Sequence, residues 1–238
     1  MTPSNRVARS AGVLYLIIIV AGIFAQFFVR MSLIDPSDAA ATAAAVQGAE
    51  SLFRMGIAAD LVMITADVAI ALAFFVLLEP VSRALSLLAA FFRLVQATIL
   101  GFNLMNLFVG LELVTGGAGP VGAVGEAQRH ALALMFFEAH GTGYAVGLAF
   151  FAFSLFLLGY LIYRSGYLPK ALAVLLMVAA AGYLADTLAR TLLTDYAAVQ
   201  PFFDAAVFGP AVIAEVATAL WLLIRGVRTR PLARAATA

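Results

Sequence analysis

The stretch that decides the fold is residues 56–78, which read GIAADLVMITADVAIALAFFVLL. A transmembrane helix needs about 20 consecutive, mostly apolar residues. This run has 23 residues and only two charges, Asp60 and Asp67. Because backbone polar groups inside lipid must be hydrogen-bonded within the segment, the run predicts a helix rather than an open strand.

The same criterion, applied outward from this run, predicts six transmembrane helices in the 238-residue chain. They are Ala11–Val29, Gly56–Leu78, Leu85–Leu111, Thr142–Ile162, Ala171–Leu193 and Ala205–Ile224. Apolar residues make up 64% of the chain and charged residues 11%, against about 25% charged residues in a soluble domain. The predicted fold is therefore all-α, a six-helix transmembrane bundle that forms one integral membrane domain over residues 1–238.

Two loops on the outer side are predicted to contain short helices. Asp35 followed by Pro36 is typical of a helix start, with Asp as the N-cap and Pro at the first position, which predicts a helix over Ala39–Glu50. A second outer helix is predicted over Glu126–Glu138.

The apolar stretch Ala131–Ile162 is too long for one membrane span and too short for two. We therefore predict a break at residues 140–143, which read HGTG, between the second outer helix and the fourth span. Within this region the small residues Gly143 and Gly147, four apart, predict close packing against another helix.

The distribution of Lys and Arg predicts the orientation of the bundle in the membrane. Nine basic residues fall on the side of both chain ends: Arg6, Arg9, Arg83, Arg164, Lys170, Arg225, Arg228, Arg230 and Arg234. Four fall on the opposite side: Arg30, Arg54, Arg129 and Arg190. This bias places both ends in the cytoplasm, and we expect the membrane to be a bacterial inner membrane. The first span could be read as a signal peptide, but its apolar run is longer than usual, so we expect it to be retained.

Helices 1–2 and helices 5–6 share polar positions. Helices 1 and 5 share one pattern: Gly22-x-x-Ala25-Gln26-x-x-x-Arg30 matches residues 182–190, which carry Gly, Ala, Asp and Arg at the same spacing. Helices 2 and 6 share another pattern: residues 66–72 (ADVAIAL) match residues 214–220 (AEVATAL). Both members of each pair cross in the same direction, which suggests a parallel duplication of a helix hairpin.

Three charged residues are predicted near the middle of the membrane. Each charge there costs at least about 2.5–3.5 kcal/mol on insertion, so such residues face a partner or water. Counting along the helices places Asp67, Arg93 and Glu215 at one level. Because the planar Arg fork can bond two carboxylates, we expect Arg93 to lie between the two acids, which the repeat relates to each other.

A second set of polar side chains lies between this level and the outer face. It consists of Asp60, Gln96, Asn103, Asp186, His140 and Tyr144. Asp60 is seven residues before Asp67 and shares its helix face, and Arg190 is one turn beyond Asp186. The placement suggests a polar cavity that is open to the outer side and closed inward by apolar packing. Together with Asp67, Arg93 and Glu215, these residues are the candidate ligand-binding side chains.

Composition excludes several classes of function. The chain has no cysteine and only two histidines, so we expect no metal site and no cofactor. The net charge of +1 gives no basic face for nucleic acid. No nucleophile elbow, phosphate-binding glycine loop or HExxH motif is present. The expected partners are the lipid bilayer and a small-molecule or lipid ligand, and the oligomeric state stays open.

Several stretches resemble a known family. They are residues 92–97 (FRLVQA), 158–169 (LGYLIYRSGYLP), 182–186 (GYLAD) and the opening run Ala11–Ile23. They are similar to the membrane proteins grouped as domain of unknown function 4386, and the similarity extends over nearly the whole chain. The resemblance implies a bacterial multi-pass membrane protein and brings no activity and no catalytic residue with it.

Three functions remain compatible with the sequence. The first is binding or transport of a small polar or amphiphilic ligand at Arg93, between Asp67 and Glu215, with a protonatable carboxylate coupling movement to protons. The second is a membrane-embedded enzyme in which Asp67 or Glu215 acts as a general acid on a lipophilic substrate such as an isoprenoid or quinone. The third is a structural or stress-related membrane protein whose buried charges hold the helices together.

Overall fold

The computed structural model of the chain describes residues 3–116 and 120–228. Within this part of the chain the secondary structure is helical, with seven helices of ten residues or more and no β-strand. The helices are α1 (Pro3–Ile23, continued by the π-helical turn Phe24–Arg30 and by Met31–Leu33), α2 (Ala39–Gly48), α3 (Glu50–Leu78), α4 (Arg83–Thr115), α5 (Glu126–Ser165), α6 (Lys170–Leu192) and α7 (Gln200–Phe203, the π-helical turn Asp204–Phe208, and Gly209–Ile224). All except α2 are long and apolar enough to cross a membrane, so the all-α bundle with six membrane helices is confirmed.

Five of the six membrane helices are longer than their predicted spans, whereas α6 has the predicted length. The predicted ends of α3 at Leu78 and of α7 at Ile224 are those of the structure, whereas α4 extends to Thr115 beyond its predicted end. Residues 230 and 234, which counted toward the predicted orientation, lie outside the described residues.

The short helix α2 occupies the first outer loop as predicted, but its N-cap is Asp38 rather than Asp35. The Asp38 carboxylate accepts a hydrogen bond from the Ala41 N–H at 2.9 Å. Asp35 instead accepts hydrogen bonds from the N–H (2.9 Å) and hydroxyl (2.6 Å) of Ser37. These bonds lower the pKa of Asp35. The Thr42 hydroxyl accepts a hydrogen bond from the Asp35 N–H and donates one to the Asp35 carbonyl. These bonds hold Asp35 outside the helix.

The predicted break at residues 140–143 is wrong, because α5 is one continuous helix from Glu126 to Ser165. The segment predicted as the second outer helix is the first part of α5. At about 1.5 Å per residue, its 40 residues exceed the roughly 30 Å hydrocarbon core, so this first part extends beyond the membrane. Gly143 lies inside the helix and faces α4, where a Cβ atom would meet the Asn103 side chain.

The six membrane helices form a ring in chain order. Helix α1 packs on α3, α3 on α4, α4 on α5, α5 on α6, α6 on α7, and α7 returns to α1. The ring closes at the ends of the described chain, where the Val227 N–H donates to Asn5 Oδ1 at 3.0 Å. We call the side of the bundle where α1 begins and α7 ends the terminal side, and the opposite side the outer side.

Small residues allow the close approach of helices around the ring. A Cβ on Gly12 of α1 would lie 2.6 Å from the backbone N of Leu223 in α7. A Cβ on Gly159 of α5 would lie 2.8 Å from the backbone O of Ala173 in α6. The close packing predicted for Gly143 and Gly147 is confirmed, since both face side chains of α4. The large apolar residues on the outside of the ring, such as Phe102 (80% exposed) and Leu72 (64%), suit contact with lipid.

Candidate functional site

The predicted ionic layer lies inside the ring and is built around Asp67 of α3 and Arg93 of α4. Arg93 Nε donates to Asp67 Oδ1 at 2.8 Å, and Nη2 lies 2.6 Å from the same oxygen. Gln96, one turn along α4, donates from Nε2 to Asp67 Oδ2 at 3.1 Å. Each charged side chain of this pair is only 2% exposed, so the pair is removed from solvent.

Glu215 of α7 has different partners from the ones expected. Tyr15 of α1 donates to Glu215 Oε2 at 3.1 Å, and Tyr183 of α6 donates to Oε1 at 2.9 Å. Arg93 forms no hydrogen bond with Glu215, since only its Nε has a hydrogen-bonding partner among the residues described. The expected bridge between two acids is therefore replaced by an Asp67–Arg93 pair and a Glu215 carboxylate held by two phenols.

Aromatic rings separate these two sets of contacts. The Arg93 guanidinium carbon lies 5.6 Å from the centre of the Tyr15 ring and 5.1 Å from that of Phe151. Tyr15 thus contacts the guanidinium through its ring and Glu215 through its hydroxyl. We call Asp67, Arg93, Gln96, Glu215, Tyr15 and Tyr183 the midplane cluster, after the level at which the sequence predicts its charges.

A second buried ion pair lies closer to the outer side. Arg30, at the end of the π-helical turn of α1, donates from Nη1 to Asp60 Oδ2 at 2.5 Å and from Nε to Gln26 Oε1 at 2.9 Å. Arg30 is 7% and Asp60 1% exposed. We call Gln26, Arg30 and Asp60 the outer cluster. The sequence counted Arg30 as an outer-side cation and did not pair it with Asp60.

Tyr144 of α5 lies between the two clusters. Its hydroxyl points to Met63 Sδ at 3.9 Å, and Met63 stands on α3 between Asp60 and Asp67. His140, one turn before Tyr144, is buried at 3% exposure. Its ring lies 6.1 Å from the Tyr144 ring, and its backbone oxygen accepts from Asn103 Nδ2 at 2.8 Å. His140, Asn103 and Tyr144 therefore join α4 and α5 beside the outer cluster.

Asp186 is held apart from both clusters at the outer end of α6. It accepts from Arg190 Nε at 3.0 Å and from the Tyr196 hydroxyl at 2.5 Å, and the Arg190 guanidinium stacks 4.3 Å from the centre of the Tyr196 ring. Partial burial and the hydrogen bond to Asp186 raise the pKa of Tyr196. These contacts are local to the end of α6 and the loop after it.

Some buried polar atoms of the clusters have unused hydrogen-bonding capacity. Within residues 3–116 and 120–228, Asp60 Oδ1, Gln96 Oε1 and Arg93 Nη1 have no hydrogen-bonding partner, and Arg93 Nη2 has only its ion-pair contact with Asp67. A buried polar atom left unpaired costs about 1–3 kcal/mol. The two clusters therefore offer two acceptors and one donor that the protein itself leaves free.

The sequence did not identify the phenols that bind the carboxylates. Nothing in the local sequence distinguishes Tyr15, Tyr183 and Tyr196 from the other tyrosines. Their partners are 200, 32 and 10 residues away along the chain. The position of Tyr183 one turn before Asp186 gave no useful signal, because Tyr183 binds Glu215 instead. Pairing across such separations depends on the ring order of the helices, which the sequence does not reveal.

The predicted duplication has one parallel in the side-chain contacts. Arg30 Nε donates to Gln26, and Arg190 Nε donates to Asp186, each across four residues. The repeat-related acids Asp67 and Glu215, in contrast, bind different groups. The duplication stays a prediction.

Comparison with known proteins places this arrangement in a family. A family model described as "Domain of unknown function (DUF4386)" matches residues 10–226. The chain is also similar to a protein of Archaeoglobus fulgidus described as "Uncharacterized protein". The two are 34% identical over 164 residues, which is 69% of this chain and 79% of the relative. No solved structure matches the chain.

Proposed function

The chain belongs to the DUF4386 family, and we propose that it binds and transports a small polar or amphiphilic ligand at the buried clusters. The ligand would approach from the outer side through a polar cavity and pass the outer cluster first. It would then reach Arg93, Asp67 and Glu215. Asn103, His140 and Tyr144 would line the way between the two clusters, and Asp186 the outer entrance.

The observation that carries this proposal is the pair of free carbonyl-type acceptors at two depths. Asp60 Oδ1 and Gln96 Oε1 are buried without a hydrogen-bond donor among the described residues, although each residue is otherwise well held. If a buried carboxylate or amide served only to hold helices together, we would expect both of its polar atoms to be hydrogen-bonded. Two unused acceptors support a ligand that carries N–H or O–H groups.

Charge asymmetry of the chain favours a cationic or neutral ligand over an anion. Ten acidic residues lie in the outer parts of the helices and in the outer loops: Asp35, Asp38, Glu50, Asp60, Glu112, Glu126, Glu138, Asp186, Asp195 and Asp204. Only four basic residues accompany them, namely Arg30, Arg54, Arg129 and Arg190. A field of this sign concentrates cations near an entrance.

The same asymmetry supports the proposed orientation. Glu79 is the one acidic residue at the terminal side of the described helices, against seven basic residues there: Arg6, Arg9, Arg83, Arg164, Lys170, Arg225 and Arg228. By the positive-inside rule the terminal side would face the cytoplasm. We propose that the membrane is the inner membrane of a bacterium.

Glu215 is the residue we assign to proton coupling. Its carboxylate has two phenol donors and no ion pair with Arg93, so it is the acid of the midplane cluster whose charge is least compensated by contact. Buried acids of this kind act in proton relays of pumps and transporters. Protonation of Glu215 would accompany movement of a cationic ligand past it.

The experiment uses the purified chain in liposomes loaded with a pH-sensitive dye. A panel of small amines, amino alcohols, carboxylates and sugars is added outside, with and without a membrane potential, and proton movement is recorded. We expect one class, with amines first, to drive proton flux, and Glu215→Gln to abolish this flux. Arg54→Gln is the matched control, because Arg54 is an exposed residue in an ion pair with Glu50.

Asp67→Asn, Arg93→Gln and Glu215→Gln would each be measured for flux and for melting temperature. If all three keep the flux of the unmodified protein, the proposed site is wrong. If no compound of the panel moves protons and the three variants change only the melting temperature, the buried charges have a structural role instead.

A further inference from the structure

A crevice lies in the terminal half of the bundle, and Arg93 is among the residues that line it. It lies between α3, α4 and α5, and its enclosed volume is about 10 Å³. Phe74, Phe75 and Leu78 form one wall, and Ser86, Ala89 and Ala90 form another. Ser154 and Leu158 of α5 complete it. The enclosed part is just wide enough for a molecule of the size of water.

The position of Arg93 in α4 gives the depth of the crevice. Ser86 lies three residues after the start of α4 at Arg83, and Arg93 lies ten residues after it. At about 1.5 Å per residue, the α4 residues that line the crevice lie about 5 to 15 Å along the helix from its terminal-side end. Its lining residues therefore lie between the terminal-side end of α4 and the level of Arg93.

Arg93 lines the crevice and has a donor without an acceptor. Its Nε binds Asp67, and its Nη1, buried and without a hydrogen-bonding partner in the described chain, belongs to a side chain that lines the crevice. The serines on the walls have used their hydroxyl protons, since Ser86 donates to the Phe75 carbonyl and Ser154 to the Ala89 carbonyl. Their oxygens still have lone pairs that can accept a hydrogen bond.

We propose that water from the terminal side fills this crevice and binds Arg93, giving the Asp67–Arg93 pair a second aqueous access opposite the outer cluster. A water molecule accepts from Arg93 Nη1 and donates to the serine oxygens, which matches what the crevice offers. An anion is disfavoured because Asp67 and Glu215 both lie within electrostatic range of Arg93. A lipid chain would fill the apolar walls and leave Nη1 unpaired.

This inference rests on the proposed function for its meaning, since a transporter must expose one site to both sides in turn. Its test does not depend on a ligand or on flux. A dry crevice leaves the flux experiment untouched, and a failed flux experiment leaves the hydration of the crevice to be measured.

The absence of native cysteine allows single-cysteine accessibility measurements without background substitutions. Ala89→Cys places a thiol on the crevice wall, and Ala97→Cys places one on the same helix at a buried position away from it. Oriented membrane vesicles of both polarities receive Ag⁺, an ion of about the size of water. The remaining free thiol is then counted by maleimide labelling of the denatured protein.

We expect Ag⁺ added at the terminal side to block Ala89→Cys at least about tenfold faster than Ala97→Cys, because each unit by which apolar burial raises a thiol pKa lowers its reactive thiolate fraction about tenfold. Equal rates for the two variants would overturn the proposal. So would reaction of Ala89→Cys with a lipid-soluble maleimide but not with Ag⁺, which would indicate lipid in the crevice. Faster reaction from the outer side would overturn it as well.

Ala90→Cys is a second variant on the same wall for the case in which Ala89→Cys does not fold. Ala90 is half-buried, so its neighbours leave room for a sulfur atom. Its expected reactivity toward Ag⁺ is the same, and melting temperatures of all three variants show which of them are folded. A folded Ala90→Cys that is as slow as Ala97→Cys overturns the proposal on its own.

Discussion

Arg93 and Asp67 form an ion pair at 2.6 Å in which each side chain is only 2% exposed. Taking two charges out of water is costly, and their attraction offsets this cost only while both are present. The pair joins the middle of α3 to the first half of α4, so its integrity bears on the whole ring.

Removing one member of this pair is expected to destabilise the protein strongly. Asp67→Asn or Arg93→Gln alone leaves a buried charge without its partner, at a cost of about 3–5 kcal/mol in the free energy of unfolding. The double variant Asp67→Leu/Arg93→Met, which removes both charges, is expected to recover most of this loss. Unfolding in detergent with added denaturant measures the cycle. Additive losses in the double variant would contradict a direct pairing.

The two phenols that bind Glu215 are expected to contribute separately. Tyr15→Phe and Tyr183→Phe each remove one hydrogen bond to a buried carboxylate, worth about 1.5–3 kcal/mol, while keeping the ring. Tyr160→Phe is the control, because Tyr160 is 37% exposed and its ring stays beneath Arg164. Thermal unfolding followed by circular dichroism measures all three. A Tyr183→Phe variant as stable as Tyr160→Phe would contradict the hydrogen bond between Tyr183 and Glu215.

The outer cluster gives a comparison between a buried and an exposed ion pair in one protein. Asp60→Asn leaves the buried Arg30 guanidinium without its anion, so we expect a loss of several kcal/mol, as for other broken buried pairs. Glu50→Gln breaks the exposed pair with Arg54, which is worth less than about 1 kcal/mol. Melting temperatures of the two variants decide the matter. Equal shifts would show that Arg30 reaches solvent when Asp60 is neutral.

Two glycines are expected to respond in opposite directions to the same substitution. Gly12→Ala forces a Cβ against the α7 backbone and should cost about 1–3 kcal/mol through overpacking. Gly141→Ala meets no atom within 4 Å and lies inside α5, so it should stabilise the helix by up to about 1 kcal/mol. The midpoint of thermal unfolding reports both. A stabilising Gly12→Ala would rule out the close approach of α1 and α7.

The Tyr196 phenol outside the membrane helices is expected to titrate late. Its pKa is raised because the phenol is partly buried and donates to Asp186. A raised folded-state pKa contributes stability that is fully present below the unfolded-state value near 10 and is lost as pH rises through the folded-state value. Ultraviolet absorbance of tyrosinate in the protein and in Tyr196→Phe isolates this group. A difference spectrum that appears already below pH 10 would contradict the hydrogen bond.

The helices themselves could be predicted because lipid imposes one strong condition on each apolar run. The ends of α3 and α7 followed from hydropathy alone. The break at residues 140–143 was wrong because a glycine pair in a membrane helix more often marks close packing than an end, and Gly143 packs on Asn103 here. The cap of α2 was placed three residues early because Asp35 and Asp38 both fit the cap pattern, and they differ in the hydrogen bonds that each makes in the fold, with Ser37 for Asp35 and with Ala41 for Asp38.

The buried charges could be predicted as a group, but not their pairing. Counting residues along each helix gave the common level of Asp67, Arg93 and Glu215, whereas rotation of each helix and the ring order decide which side chains meet. Arg93 consequently met one acid instead of two, and Glu215 met tyrosines from α1 and α6. Such contacts join residues up to 200 positions apart, beyond the reach of any local pattern.

The closure of α7 onto α1, fastened by Asn5 and Val227, makes the order of the helices cyclic. In a cyclic order no helix is first in space, so every membrane helix has two neighbours and none has a bare flank. The same packing would be kept in a circular permutant, in which the two chain ends are joined by a linker at the terminal side and the chain is opened at an outer loop. The architecture of this protein is thus a property of the ring rather than of the place at which its chain starts.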